Sequence, residues 1–244
     1  MLNPDRYQPV VPSDIGHPVP FEGVQLVLFD LDGTLVDSVG DLAWCGNEML
    51  RLLGMPARDS RAASIWVGNG VERFVKRVLT NDMNAEPEAD LFRAGLEIFN
   101  SLYAENISAH SEVYPGVREC LEELSRRDFH LACVTNKAER FTTKLLKLLD
   151  LSRFFELVVS GDTTARKKPD PLPLRYAADY FSLEYRNCMM VGDSSNDVTA
   201  ARAAGFKVVC VPYGYNHGQP VEASCPDRVI ENLVELNDLL GEIA

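Results

Sequence analysis

The stretch Val24-Gln25-Leu26-Val27-Leu28-Phe29-Asp30-Leu31-Asp32-Gly33-Thr34 decides the fold. Its first six positions are almost continuously apolar and stop at two carboxylates and a glycine. A short apolar run without alternation reads as a strand buried on both faces, as in a parallel sheet. Working outward, similar runs recur at 130–135, 157–160, 188–191 and 206–211. Helical faces lie between them: Val117, Leu121 and Leu124 share one, and Phe141, Leu145, Leu148 and Leu149 share another. Strand and helix in alternation predict an α/β fold, a Rossmann-like doubly wound parallel sheet.

The alternation breaks between about 38 and 110, where the patterns are helical only. Val71, Phe74, Val75, Val78 and Leu79 fall on one helical face, and so do Phe92, Leu96, Phe99 and Tyr103. The expected organisation is therefore a core of 23–37 and 111–244, with an all-helical insert, 38–110, after the first strand. Residues 1–22 carry Pro4, Pro9, Pro12, Pro18 and Pro20 and read as an extended tail.

The 244 residues are 46% hydrophobic and 25% charged, with a net charge of −12. This excess of acid argues against nucleic acid and anionic membranes as partners. It also requires any phosphate site to be locally positive. No run of about 18 apolar residues occurs, and no basic segment precedes an apolar one at the N-terminus, so a cytoplasmic protein is expected. The six cysteines, none in a CxxC pair, read as small buried hydrophobes.

In open α/β sheets, ligands sit beyond the carboxyl ends of the strands. Four polar signatures fall there. At the first, Asp30 and Asp32 can face the same side, one to attack phosphorus and the other to shuttle a proton. Gly33 allows the backbone to turn sharply; the plain alternative is an Asp-Gly turn. Thr135-Asn136 offers a hydroxyl and a helix N-terminus to an anion, or simply caps that helix. Lys167-Lys168-Pro169 places a cation before another helix, or forms a solvated basic turn. Asp193 and Asp197, four apart after the 188–191 run, can hold a hard cation such as Mg²⁺, or cap a helix.

With these four in this order, the chain resembles the haloacid dehalogenase superfamily of phosphohydrolases from Val24 onward. Asp30-Leu31-Asp32-Gly33-Thr34 is similar to its first motif, Thr135 to its second, Lys168-Pro169 to its third, and Gly192-Asp193 to Asp197 to its fourth. The resemblance implies that Asp30 becomes an aspartyl-phosphate and that Asp32 is the acid and base. Thr135 and Lys168 would hold the phosphoryl oxygens. Mg²⁺ would sit on Asp30, the backbone carbonyl of Asp32 and Asp193, with Asp197 in support. Dehalogenases of the superfamily lack the second Asp and P-type pumps carry Thr there, so Asp32 favours phosphoryl chemistry.

The helical insert resembles the superfamily's small cap. Within it, Ile65-Trp66-Val67-Gly68-Asn69-Gly70 resembles the cap loop of bacterial phosphoglycolate phosphatases, and so do Val113-Tyr114-Pro115-Gly116 and Tyr213-Gly214-Tyr215-Asn216 in the core. The loop is either a helix corner or a substrate loop. In the second reading Trp66, Gly68, Asn69 and Gly70, with Arg73 or Lys76, receive a second anionic group. Gly33, Thr34 and Asn136 line the phosphate side. The implied substrate is a small phosphorylated metabolite, 2-phosphoglycolate first. A sugar or amino-sugar phosphate such as N-acetylmuramic acid 6-phosphate, a nucleotide, a phosphomutase reaction and a catalytically silent module are the alternatives. A monomer or homodimer is expected. Two features depart from the family's pattern: the Pro-rich tail is longer than usual, and lysines are paired at 167–168.

Overall fold

The computed structural model describes residues 21–241, so the tail expected over 1–22 lies almost wholly outside the described residues. Phe21 already pairs with the chain's end, its N–H donating to the Leu239 carbonyl at 2.6 Å.

The apolar run forms β1 (Leu26–Phe29), which leads into β2 (Val36–Asp37). Four helices follow: α1 (Val39–Leu52), α2 (Ser60–Trp66), α3 (Val71–Thr80) and α4 (Ala89–Glu105). The chain returns through β3 (Glu112–Val113), then runs α5 (Val117–Arg126), β4 (His130–Val134), α6 (Glu139–Leu148) and β5 (Leu157–Val159). It finishes with α7 (Leu172–Tyr180), β6 (Cys188–Gly192), α8 (Ser195–Ala204), β7 (Lys207–Cys210), β8 (Arg228–Val229) and α9 (Leu236–Leu239). Among the described residues, no helix is long and apolar enough to cross a membrane.

The main sheet has the order β5-β4-β1-β6-β7-β8, every pair parallel. Five of its strands start and stop within two residues of the runs expected from sequence, and the edge strand β8 is not among those expected. The order explains their composition. Leu26 and Leu28 project to the face covered by α7 and α8, whereas Val27 and Phe29 project to the other, and all four are fully buried. That second face shares one apolar cluster with α1 to α4, and Tyr103 of α4 meets Phe141 of α6 edge-on at 4.9 Å. One predicted face needs correction. Leu148 is exposed while Phe141 and Leu145 are buried, because the buried face of α6 runs through Phe141, Thr142, Leu145 and Leu146 and leaves Leu148 at its edge.

A feature not expected from sequence closes the base of the helical segment. β2 and β3 form an antiparallel ribbon, Val36 opposite Val113, which sets the segment's entry beside its exit. β1 is the central strand. Strand order runs outward from it both ways, so the crevice beyond its carboxyl end is the switch point where such sheets bind ligands.

Candidate active site

Three strands end at this crevice: β1 in Asp30, β4 in Thr135, β6 in Asp193. The carboxylates of Asp30, Asp193 and Asp197 offer oxygens within 4.8 Å of one another. Lys168 enters from the loop before α7. Its Nζ donates to Asp197 at 2.7 Å and the Val134 carbonyl at 2.7 Å, and it pairs with Asp30 at 3.0 Å.

The backbone dictates how these groups meet. Gly33 has φ +90°, and a Cβ there would run into the Asp193 carboxylate and the Tyr215 ring, so the turn requires glycine. Thr34 is fully buried and donates from Oγ1 to Asp193 Oδ1 at 2.9 Å; the other Asp193 oxygen accepts from Tyr215 N–H at 2.5 Å. Asp197 closes a capping box on α8, where its Oδ2 accepts from Ser194 N–H and Oγ.

The charges are strained by burial. Desolvation pushes the Asp30 carboxyl up to about 6; Asp197 adds to the rise, and Lys168 opposes it. Asp193 is held well above the usual carboxylate range by burial first, then by Asp197 and Asp30. Burial works against the Lys168 ammonium, but Asp197 and Asp30 outweigh it and hold its pKa above the ordinary lysine value. Three carboxylates and one ammonium make a buried oxygen-only donor set that carries excess negative charge once ionised. That set fits a hard divalent cation.

A cleft with about 450 Å³ of space between atoms, partly open to solvent, lies over this cluster. Its floor is Asp30, Asp32, Thr135, Asn136 and Lys137, and its roof, from the helical segment, is largely apolar: Leu42, Val67, Gly68, Gly70, Val71 and Phe74. Asn136 donates from Nδ2 to the Gly68 and Lys168 carbonyls, both at 2.9 Å, and Asn196 also reaches Gly68 at 3.3 Å. Asn136 Oδ1 is buried without a partner among the described residues.

Several residues expected on the substrate side stand elsewhere. Thr34 serves Asp193, and Gly33 packs against that same carboxylate and Tyr215. Trp66 is buried between α1 and α3, since its apolar ring finds the interior of the helical segment first. Asn69 accepts from Arg77, and Arg73 turns to Glu86 and the Met83 carbonyl, at 2.7 and 2.9 Å. Lys76 pairs with the same Glu86 at 2.6 Å, so neither of these cations faces the cleft. Gly68 and Gly70 do line it.

Other residues escaped the sequence reading. Arg77, only 6% exposed, anchors the loop through the Trp66 and Met83 carbonyls and Asn69. Lys137, 5% exposed, pairs with both oxygens of Asp32 at 2.9 and 3.0 Å. Its signal was a lysine directly after Thr135-Asn136 in a chain short of cations. Ser38 Oγ donates to Asp32 at 2.6 Å.

Comparison with known proteins agrees with this geometry. The chain is 49% identical over 220 residues to a phosphoglycolate phosphatase of Nitrosococcus oceani, covering 90% of this chain and 98% of that one. It is 46% identical over 212 residues to one of Thiobacillus denitrificans, covering 87% and 93%. A crystal structure described as a predicted phosphoglycolate phosphatase from Haemophilus somnus superposes with a TM-score of 0.82 at 33% identity, covering 88% of this chain and 96% of that one. Residues 27–211, which span β1 to the end of β7 and every carboxylate of the crevice, match the model of the haloacid dehalogenase-like hydrolases, and the chain belongs to that family.

Proposed function

We propose that this phosphatase hydrolyses 2-phosphoglycolate to glycolate and phosphate, through an aspartyl-phosphate on Asp30 and with Mg²⁺. The observation that carries the chemistry is the pairing of roles at one strand end. Asp30 sits in the acid cluster against Lys168, and Asp32, two residues on, is held apart from that cluster by Lys137 and Ser38. One carboxylate is thus placed for charge-neutralised attack and the other for proton transfer.

Asp30 attacks phosphorus, and the new O–P bond forms as the ester P–O bond breaks. Asp32 gives its proton to the leaving oxygen. As a carboxylate it then takes a proton from the water whose oxygen bonds phosphorus while the Asp30–phosphorus bond breaks. Phosphate leaves and Asp32 is again protonated. Thr135 and Lys168 hold the phosphoryl oxygens. Asp30, Asp193 and the Asp32 carbonyl, backed by Asp197, would hold Mg²⁺, which neutralises phosphoryl charge when bound. The helical segment 38–110 acts as a cap that excludes water and long polymers.

Supporting the substrate are the names of the relatives, the resemblance of the Ile65–Gly70 loop, and a roof whose apolar surface suits a short carbon skeleton. The test is phosphate release from a panel of 2-phosphoglycolate, N-acetylmuramic acid 6-phosphate, hexose phosphates and nucleotides, with Mg²⁺ and with chelator. The expected result is the highest kcat/KM on 2-phosphoglycolate, lost with chelator and lost in Asp30→Asn. A different preferred ester overturns the substrate; turnover retained in Asp30→Asn overturns the mechanism.

A further inference from the structure

Lys137 is a lysine buried at the floor of the cleft whose part in the steps above is only to hold Asp32 clear of the acid cluster. Its Nζ is shared between two partners from different parts of the fold. One is the Asp32 carboxylate, both oxygens, at 2.9 and 3.0 Å. The other is the Tyr103 hydroxyl at 2.6 Å. Tyr103 is fully buried, lies on α4 of the helical segment, and its ring faces the same Nζ at 4.9 Å. The ring is wedged between Phe99, stacked at 5.6 Å, and Phe141 of α6. A lysine this long has many rotamers, and holding Nζ in one place needs partners on more than one side. Asp32 needs the same help, since it stands on the turn at Gly33, where, among the described residues, only Ser38 otherwise bonds its carboxylate.

We propose that Lys137, set by Tyr103, is the positioning residue that aims Asp32 at the leaving oxygen, so that proton transfer is assembled only when α4 is packed against α6. This rests on Asp32 being the proton carrier. Lys137 keeps its own proton throughout. It donates to the Asp32 carboxylate and, once Asp32 is protonated, to its carbonyl oxygen, so one ammonium holds both forms in place. The device also gives a reason for tyrosine within an otherwise apolar helical stripe. Phenylalanine would fill the same space among Phe99 and Phe141 but would leave Nζ with Asp32 alone.

The consequence is selective. A poor alkoxide leaving group needs the proton from Asp32, whereas p-nitrophenolate leaves without it. The experiment measures kcat/KM on 2-phosphoglycolate, n-propyl phosphate and p-nitrophenyl phosphate, for the parent protein, Asp32→Asn, Lys137→Met, Tyr103→Phe and the double variant Asp32→Asn/Lys137→Met. Lys137→Met is expected to lose about 100-fold on both alkyl esters and less than about 5-fold on the aryl ester. Tyr103→Phe, which keeps the packing and serves if Lys137→Met fails to fold, is expected to lose about 5- to 10-fold with the same selectivity. Adding Lys137→Met to Asp32→Asn should cost less than about 3-fold more, because both act through one proton transfer. An equal loss on all three esters would overturn the proposal, since Lys137 would then serve the phosphoryl group. A loss on 2-phosphoglycolate alone would also overturn it, since Lys137 would then bind the substrate carboxylate. If Asp32→Asn itself shows no difference between alkyl and aryl esters, the proton-carrier reading falls, and the positioning role falls with it.

Discussion

The floor and the roof of the cleft bond their charges in opposite ways. On the floor and just beneath it, each lysine pairs with carboxylates far away along the chain: Lys168 with Asp30 and Asp197, Lys137 with Asp32. In the roof, Arg73 and Lys76 settle on Glu86, and Arg77 on the carbonyls of Trp66 and Met83. The floor's pairs are buried and hold strands together at their ends. The roof's pairs are local, partly exposed for Arg73 and Lys76, and hold a loop to its own helix. Charge on the floor therefore lies beside the groups proposed to react, whereas charge in the roof is committed to shape.

If that contrast holds, substitutions should separate by region. The largest effect belongs to Lys168→Met. Removing the ammonium leaves Asp30 and Asp197 buried without their cation. About 3–5 kcal/mol of stability and at least about 100-fold in kcat should be lost, read by urea unfolding and steady-state kinetics. Undiminished kcat would break the comparison outright. Next comes Asp193→Asn. If the folded cluster holds Mg²⁺ as proposed, the ion should raise the Tm of the parent protein, and the rise should vanish in the variant. An unchanged shift would move the cation away from this cluster.

Arg77→Met tests the roof at its most buried charge. It should cost about 2–3 kcal/mol, because two carbonyls and Asn69 lose their donor, and it should raise KM more than it lowers kcat. A fall in kcat with KM unchanged would mean that Arg77 supports the chemistry itself. The smallest effect is expected for Arg73→Ala, within about 2-fold in kcat/KM, since its guanidinium faces Glu86 and pairs exposed in this way contribute little. A loss of 10-fold or more there would restore Arg73 as a substrate ligand and erase the contrast.

Physics explains which of these residues a sequence reader can find. Asp30, Thr135 and Asp193 each end an apolar run, and in a parallel sheet such ends converge whatever the intervening segments do. Lys168 and Asp197 follow from their neighbours Pro169 and Asp193. Roof residues have no such rule. The spacing of Val71, Phe74, Val75 and Val78 says which face of α3 is apolar, but not where a flexible guanidinium on that helix will find its acceptor. Arg73 found Glu86 thirteen positions on, and Trp66 buried its ring in the segment's own interior. Tyr103 hid because its ring obeys the apolar stripe while its hydroxyl does not. Lys137 hid because its partners lie 34 and 105 positions away.

The ribbon of β2 and β3 has a further meaning. With Val36 and Val113 paired, the sheet meets the whole excursion between them as if it were a tight turn. Its length and content can be exchanged without altering how β1 comes to lie beside β4. The shared apolar cluster adds a condition to that freedom, because any replacement must still cover Phe141, which Tyr103 of α4 now meets edge-on. A graft at this ribbon would thus change what is admitted to the reaction, provided that it brings its own oily underside and a hydroxyl where Tyr103 now meets Lys137.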